Sequence, residues 1–344
     1  MKTTMPRRVR AASVAMLTIA ALALTGCGDD SDAAVGADGE IDLSKVTLRA
    51  GDQKGVSAAA LLQAAGLDDT PYTIEWSSFT SGPPMLEALA ADSIDVAMVG
   101  NTPPIFAAAS GSEFKVVAAA SYTAAGDAIV IPQDSTIASV EDLAGKTVAV
   151  APGSSANYNL LGQLNEAGLS LDDITVKELQ PADALAAFSS GQVDAWTVWE
   201  PYTSQAELDY GAKVLVDGDN GVMNGLNYQV ASDSAIDDEA TKAALEDYLG
   251  RIQQAQIWSG APENADTWSA IWAEGAGLDP AVTAHATARR PVEAVPIDDE
   301  VIDSTQTMAD AFTEAGQLPG AVSIADFYTD EFNDVASGSA VAGG

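Results

Sequence analysis

The chain has 344 residues, with 50 acidic against 15 basic side chains, a formal net charge of −35, one histidine and one cysteine. That balance excludes nucleic acid as a partner, because phosphate neutralisation needs clustered lysine and arginine, and a lone cysteine excludes internal disulfides and any cysteine-based metal centre. The length exceeds one comfortable core, so two lobes are the default organisation.

In chain order, residues 1–26 read as a targeting segment. Lys2, Arg7, Arg8 and Arg10 form a positive start, and Ala11 to Leu24 is an apolar run short for a bilayer span. It ends in Leu24-Thr25-Gly26-Cys27, which resembles the lipobox of bacterial lipoproteins, where the cysteine is lipidated and becomes the new amino terminus. The expectation is a lipid-anchored protein outside the cytoplasm. Loss of the leader removes four basic residues and leaves the remainder more acidic still. Residues 27–45, rich in Asp, Gly, Ala and Ser between Asp29 and Glu40, read as a flexible tether.

A strand over Val46–Ala50 is followed by Gly51-Asp52-Gln53-Lys54-Gly55 and a helix from Ala58 to Ala65. A second strand, Tyr72–Trp76, leads to Ser81-Gly82-Pro83-Pro84 and a helix over Met85–Ala91; a small polar residue before proline is a helix-start signal. Ile94–Val99 is a strand, Pro103–Ala109 a helix and Phe114–Ala119 a strand. This alternation predicts a parallel, helix-covered sheet.

The pattern restarts at Ala128–Ile131. Ser139-Val140-Glu141-Asp142 is a capping-box-like start to one helical turn, Thr147–Val150 a strand, and Ala151 to Asn157 leads into a helix with Leu160, Leu161, Leu164 and Ala167 on one face. A strand Ile174–Leu179, a helix Ala182–Ser189 and a strand Val193–Val198 complete the unit. Ile94-Asp95 and Val193-Asp194 open matching strands, and each ends on a helix-opening proline segment. LQAAGL (62–67) and LNEAGL (164–169) close matching helices. The second half thus reads as a copy of the first, one α/β lobe per half, with a period far too long for a solenoid. Strands Val214–Val216 and Leu226–Ala231 flank a Gly/Asn-rich crossing, the second returning to the first lobe. The rest reads as mostly helical, with core stripes Leu245, Leu249, Ile252, Ala255 and Val301, Thr305, Met308, Phe312. The expected division is lobe I from 46–127 plus 228–335, lobe II from 128–227, and a disordered tail over 336–344.

Enzymatic signals are sparse. The sole His285 lies in an expected helix, the Asp68-Asp69 and Asp172-Asp173 pairs sit in turns, and the sequence shows no Ser/His/Asp set, metal-ligand cluster or P-loop. No cofactor is expected. The chain has instead three helix starts rich in small and hydroxyl residues, each following a strand: Ser81-Gly82, Gly100-Asn101-Thr102, and Gly153-Ser154-Ser155 with Asn157. Helix starts carry unpaired N–H groups and a partial positive charge, a means of holding an anion without lysine or arginine. Open α/β sheets place ligands at strand carboxyl ends. There Trp199 would wall the cleft against an apolar body, with Trp196 on the other side of the pleat or deeper, and Glu200 either capping the following helix or accepting from a ligand or from the opposite lobe.

At these residues the chain resembles the aliphatic-sulfonate-binding branch of the substrate-binding proteins of ABC importers, a group that includes taurine, nitrate and thiamine-pyrimidine binders. The resemblance rests on GDQKG (51–55), SGPPMLEAL (81–89), IDVAMVGNTPPIFAAASG (94–111), GSSANYNLL (153–161), PADALAAFSSGQVDAWTVWEPY (181–202) and ARRPVEAVPI (288–297). It implies a two-lobed α/β periplasmic-binding-protein fold with parallel or mixed sheets and a two-strand hinge. It also implies a small anionic organic ligand, foremost an alkanesulfonate, an ABC permease as partner, and a monomer that meets the membrane through its lipid alone. By the same resemblance Gln53, Gly100, Asn101, Thr102, Ser154, Ser155, Asn157 and Trp199 face the cleft, and Arg290 lies near it, within reach of the sulfonate or of Glu200. Two positions depart: Ser154-Ser155-Ala156-Asn157 stands where Ser-Ser-Ser-His is frequent, and Glu200 where Asp is common. Taurine, nitrate, a thiamine pyrimidine precursor, or thiamine-pyrimidine-synthase chemistry are the alternatives.

Overall fold

The computed structural model describes residues 34–36, 39–55, 57–289 and 292–337. The targeting segment, Cys27 and Arg290 lie outside them, as does the tail beyond 337. Within the stretch read as tether, Ala34 is buried and Val35, Ile41 and Leu43 pack on the first-lobe core, so the ordered domain begins earlier than expected.

The first half of the chain runs β1 (Thr47–Gln53), α1 (Ala58–Ala65), β2 (Thr73–Phe79), α2 (Gly82–Ala90), β3 (Val96–Gly100), α3 (Pro103–Ala109) and β4 (Lys115–Tyr122). The second runs β5 (Ala128–Ile131), β6 (Thr147–Val150), α4 (Ser155–Glu166), β7 (Thr175–Glu178), α5 (Pro181–Ser189), β8 (Ala195–Val198), α6 (Tyr202–Tyr210) and β9 (Lys213–Asp217). The chain then returns through β10 (Leu226–Ala231), α7 (Asp233–Asp237), α8 (Glu239–Gly260), α9 (Ala265–Ala276), α10 (Pro280–Thr287), β11 (Val292–Val295), α11 (Asp299–Glu314) and α12 (Asn333–Ala336).

Two sheets result: a six-stranded one in the order β11-β4-β10-β3-β1-β2, and a five-stranded one in the order β7-β6-β8-β5-β9. The first is not the parallel sheet that the alternation of elements predicts. β10 inserts between β3 and β4 and runs antiparallel to both, a placement that local periodicity cannot encode. β5 does the same between β8 and β9. Apart from β11, the sheets match strand for strand. β11 itself falls in a stretch read as mostly helical; it pairs with β4 at the sheet's edge.

The repeated aspartate has a backbone role. Asp95 N–H donates to Arg49 O at 2.7 Å while its Oδ2 accepts from Arg49 N–H at 2.7 Å. Asp194 likewise donates to Thr147 O and accepts from Thr147 N–H, both at 2.8 Å. Each carboxylate therefore fixes the register of the strand that follows, β3 on β1 and β8 on β6, and so the height at which those strands end. The two α8 and α11 stripes are buried as the helical spacing requires: Leu245, Leu249, Ile252 and Ala255 on one side of the first sheet, Val301, Thr305, Met308 and Phe312 on the other.

Asp95 is buried and also paired with the Arg49 guanidinium, whereas Asp194 is exposed. Asp95→Ala is therefore expected to cost about 2–3 kcal/mol in urea unfolding, with Asp194→Ala costing under about 1 kcal/mol. Equal losses would show that burial does not set the difference.

Candidate ligand-binding site

The two lobes line a cleft whose free space, open mouth included, is about 850 Å³. Its walls are the carboxyl ends of strands and the helix starts that follow. Gln53 closes β1, Gly82 opens α2 and Gly100 closes β3 on the first lobe; Ser154 and Ser155 open α4, and Trp199 follows β8, on the second. These six expected residues meet in one place.

The other expected residues stand behind the wall. Ser81 donates to Gln180 Oε1 at 2.8 Å, tying α2 to the residue that precedes α5. Asn101 Nδ2 reaches Asn224 Oδ1 at 2.7 Å, and Thr102 Oγ1 donates to Asn101 Oδ1 at 2.9 Å. Asn157 Oδ1 accepts from Gly153 N–H at 3.0 Å and braces the loop before α4. Glu200 is 1% exposed. Its carboxylate accepts from Ser204 N–H at 3.0 Å and Ser204 Oγ at 2.8 Å, capping α6, and pairs with Arg289 at 3.2 Å. The resemblance puts Arg290 near the cleft, within reach of the sulfonate or of Glu200; the arginine paired with Glu200 in the structure is Arg289. Burial works against the Arg289 charge, but Glu207 and Glu200 more than offset it and raise its pKa above the ordinary value. Trp196 is core, between the rings of Phe188 and Tyr202.

The three helix starts are unequal as anion sites. Pro83-Pro84 in α2 and Pro103-Pro104 in α3 occupy first-turn positions and have no N–H to donate. The start of α1 is already filled: Asp52 Oδ1 and Oδ2 accept from Ala58 N–H at 2.8 Å and Ala59 N–H at 3.3 Å. Burial raises the Asp52 pKa despite those bonds. α4 brings a first turn free of proline to the cleft, its Ser155 and Ala156 N–H groups having no intrahelical acceptor, whereas α2 offers there the single N–H of Gly82. The Ser155 hydroxyl donates to Asp127 Oδ1 at 2.7 Å, so Ser155 offers a ligand its amide rather than its hydroxyl proton.

Sequence reasoning missed the rest of the lining. Asp127, 3% exposed, also accepts from the Tyr122 hydroxyl at 3.2 Å. α8 contributes Gln256 and Ser259, and α9 contributes Trp268 and Trp272, whose rings stack 5.1 Å apart at 8°. A Trp pair at helical spacing was the available signal, and it is indistinguishable from core packing without the fold. Trp199 leans across the cleft onto Gly55, where an added Cβ would lie 2.6 Å from Trp199 Nε1.

Residues 50–273 match the NMT1-like family. The chain is 36% identical to the "Putative aliphatic sulfonates-binding protein" of Escherichia coli (strain K12) over 90% of its own length and 95% of that protein's. The chain belongs to the NMT1-like family, in its aliphatic-sulfonate-binding branch. The alkanesulfonate-binding protein SsuA from Xanthomonas axonopodis pv. citri, solved with MOPS, superposes with a TM-score of 0.76 at 34% identity, covering 82% of this chain and 98% of that one. The Escherichia coli aliphatic sulphonate binding protein SsuA gives 0.72 at 34% identity, covering 82% and 91%. The family's two-lobed architecture is the one the sheets above form.

Two outcomes test this geometry. Gly55→Ala is expected to obstruct Trp199, weakening ligand binding at least about tenfold in calorimetry while the melting temperature without ligand stays near wild type. For Asp52, a folded pKa raised above the unfolded one means the native state holds the proton more tightly. Stability then falls as pH rises through the folded value. Asp52→Asn, which retains a capping oxygen, should remove that fall in unfolding curves recorded across acidic pH.

Proposed function

We propose that the chain is the extracytoplasmic, lipid-anchored binding component of an ABC importer and that it captures an alkanesulfonate, which the lobes close upon. Family membership and the names of the relatives support a binding role rather than an enzymatic one, with delivery to permease subunits. The anchor rests on Leu24-Thr25-Gly26-Cys27. Closure would turn on the two crossings, 123–127 and 218–225, which join the sheets.

The observation that carries the ligand class is the α4 start set in a cleft with indole walls. A sulfonate has one negative charge over three acceptor oxygens and an apolar body, matching first-turn amides at the positive end of a helix dipole and the faces of Trp199, Trp268 and Trp272. Gln53 and, by the resemblance, Arg290 would complete the head-group donors, with Gly82, Gly100 and Ser154 shaping the space; Ser81, Asn101, Thr102, Asn157 and Glu200 would hold those parts in place. Nitrate has no apolar body to use the indoles. Taurine recognition through Glu200 is disfavoured because that carboxylate is engaged by Ser204 and Arg289.

A thermal-shift panel of alkanesulfonates, taurine, nitrate and hydroxymethylpyrimidine should show the largest shift with an alkanesulfonate. The amide contact is separable from the hydroxyl. Ser154 is extended (φ −91°, ψ 167°) and Ser155 is the first helical residue, so proline fits at 155 and deletes one N–H. Ser155→Pro is expected to lose at least about tenfold in affinity relative to Ser155→Ala. Equal affinity of the two variants would remove the α4 amide from the site.

A further inference from the structure

The α8 side of the first sheet carries polar groups that a plain hydrocarbon tail would leave unanswered. Gln256 is 4% exposed and lines the cleft. Its Nε2 donates to Asn227 Oδ1 at 3.2 Å and Met98 Sδ at 3.1 Å, which is enough to hold helix to sheet. Its Oε1 has no partner among the described residues, and neither does the buried Oγ1 of Thr287, which lines the same cleft. A half-turn of the amide would set its oxygen against the acceptor Asn227 Oδ1, so that hydrogen bond keeps Oε1 as the unanswered atom. Buried polar groups are nearly always hydrogen-bonded, so an unanswered atom in a cleft wall marks where a ligand atom belongs. Ser259 and Asn227 flank it.

We propose that Gln256 and Thr287 form a second polar subsite that receives a hydrogen-bond-donating group on the body of the ligand, so that the preferred ligand is a hydroxyl-bearing alkanesulfonate rather than a simple alkyl one. The chemistry follows from the two atoms. An amide oxygen can only accept, so the ligand must donate to it; a threonine hydroxyl both donates and accepts, so a ligand hydroxyl suits either atom. This subsite belongs to the first lobe, while the α4 start belongs to the second. A ligand spanning both would therefore link the lobes through its two ends. The inference rests on the sulfonate reading above.

Isothermal titration of the full chain with matched pairs separates the two ideas: propane-1-sulfonate against 3-hydroxypropane-1-sulfonate, and the corresponding butane pair. Within at least one pair the hydroxylated ligand should bind about tenfold tighter, since a site built to hydrogen-bond rejects the analogue lacking the group. Gln256→Met and Thr287→Val should each lower the ratio of the two affinities within that pair. Equal affinities in wild type for both pairs, or a preference untouched by both variants, would overturn the subsite and spare the sulfonate reading. No binding of any of the four sulfonates would overturn both. If Gln256→Met shows no cooperative melting, Thr287→Val and the wild-type comparison decide.

Discussion

The carboxylate of Glu200 is the contact on which the cleft depends. It sits directly after β8, caps the first turn of α6 through Ser204, and meets Arg289 from the first lobe. The crossing chain passes so close that a Cβ on Gly126 would lie 2.6 Å from Glu200 Cγ. One buried charge thereby joins a strand end, a helix start, a crossing and the opposite lobe. Removing one partner of a buried pair leaves an uncompensated charge, typically a loss of about 3–5 kcal/mol, so the arrangement is all-or-none. Trp199, the residue before it, is placed in the cleft wall as a consequence.

A strongly acidic protein that binds an anion must separate two length scales. The summed charge repels an approaching sulfonate, but salt screens that field over about 10 Å. Inside the cleft the relevant groups are amides held by a rigid helix and not free to turn away. The Ser155 hydroxyl, turned to Asp127, shows that even a favourable side chain is committed to architecture first. The prolines of α2 and α3 make the same point from the other side: they shape the wall and supply no donors. On the proposed reading, specificity would come from a few oriented backbone groups and from the aromatic and amide surfaces of α8 and α9.

The lobes were legible in the sequence because each half carries its own punctuation: Asp95 and Asp194 mark strand starts, and proline segments mark strand ends. The capping box at Ser139 and Asp142 formed as its spacing implied. The insertion of β10 between β3 and β4 was not legible, since pairing between distant strands leaves no local trace. Gln53, Gly82, Gly100, Ser154, Ser155 and Trp199 came to the cleft because strand-end position is a one-dimensional property. Whether a side chain at such an end turns into the cleft or behind it depends on neighbours. That is why Asn101, Asn157 and Glu200 proved to be braces, and why Gln256 and Trp268, far along the chain on helices, were passed over.

The manner in which the chain passes between the sheets has one more consequence. Ser121 at the end of β4 lies opposite Leu226 at the start of β10, and Ala128 at the start of β5 lies opposite Asp217 at the end of β9. Seen from the first sheet, everything between 122 and 226 is the tip of a hairpin; the second sheet, by contrast, is built from one continuous segment, 128–217. The second lobe is thus a guest inserted into the first at a point where two antiparallel neighbours could be joined by a tight turn. A gene encoding one α/β unit could acquire its twin at that point without breaking a single rung of its existing ladder.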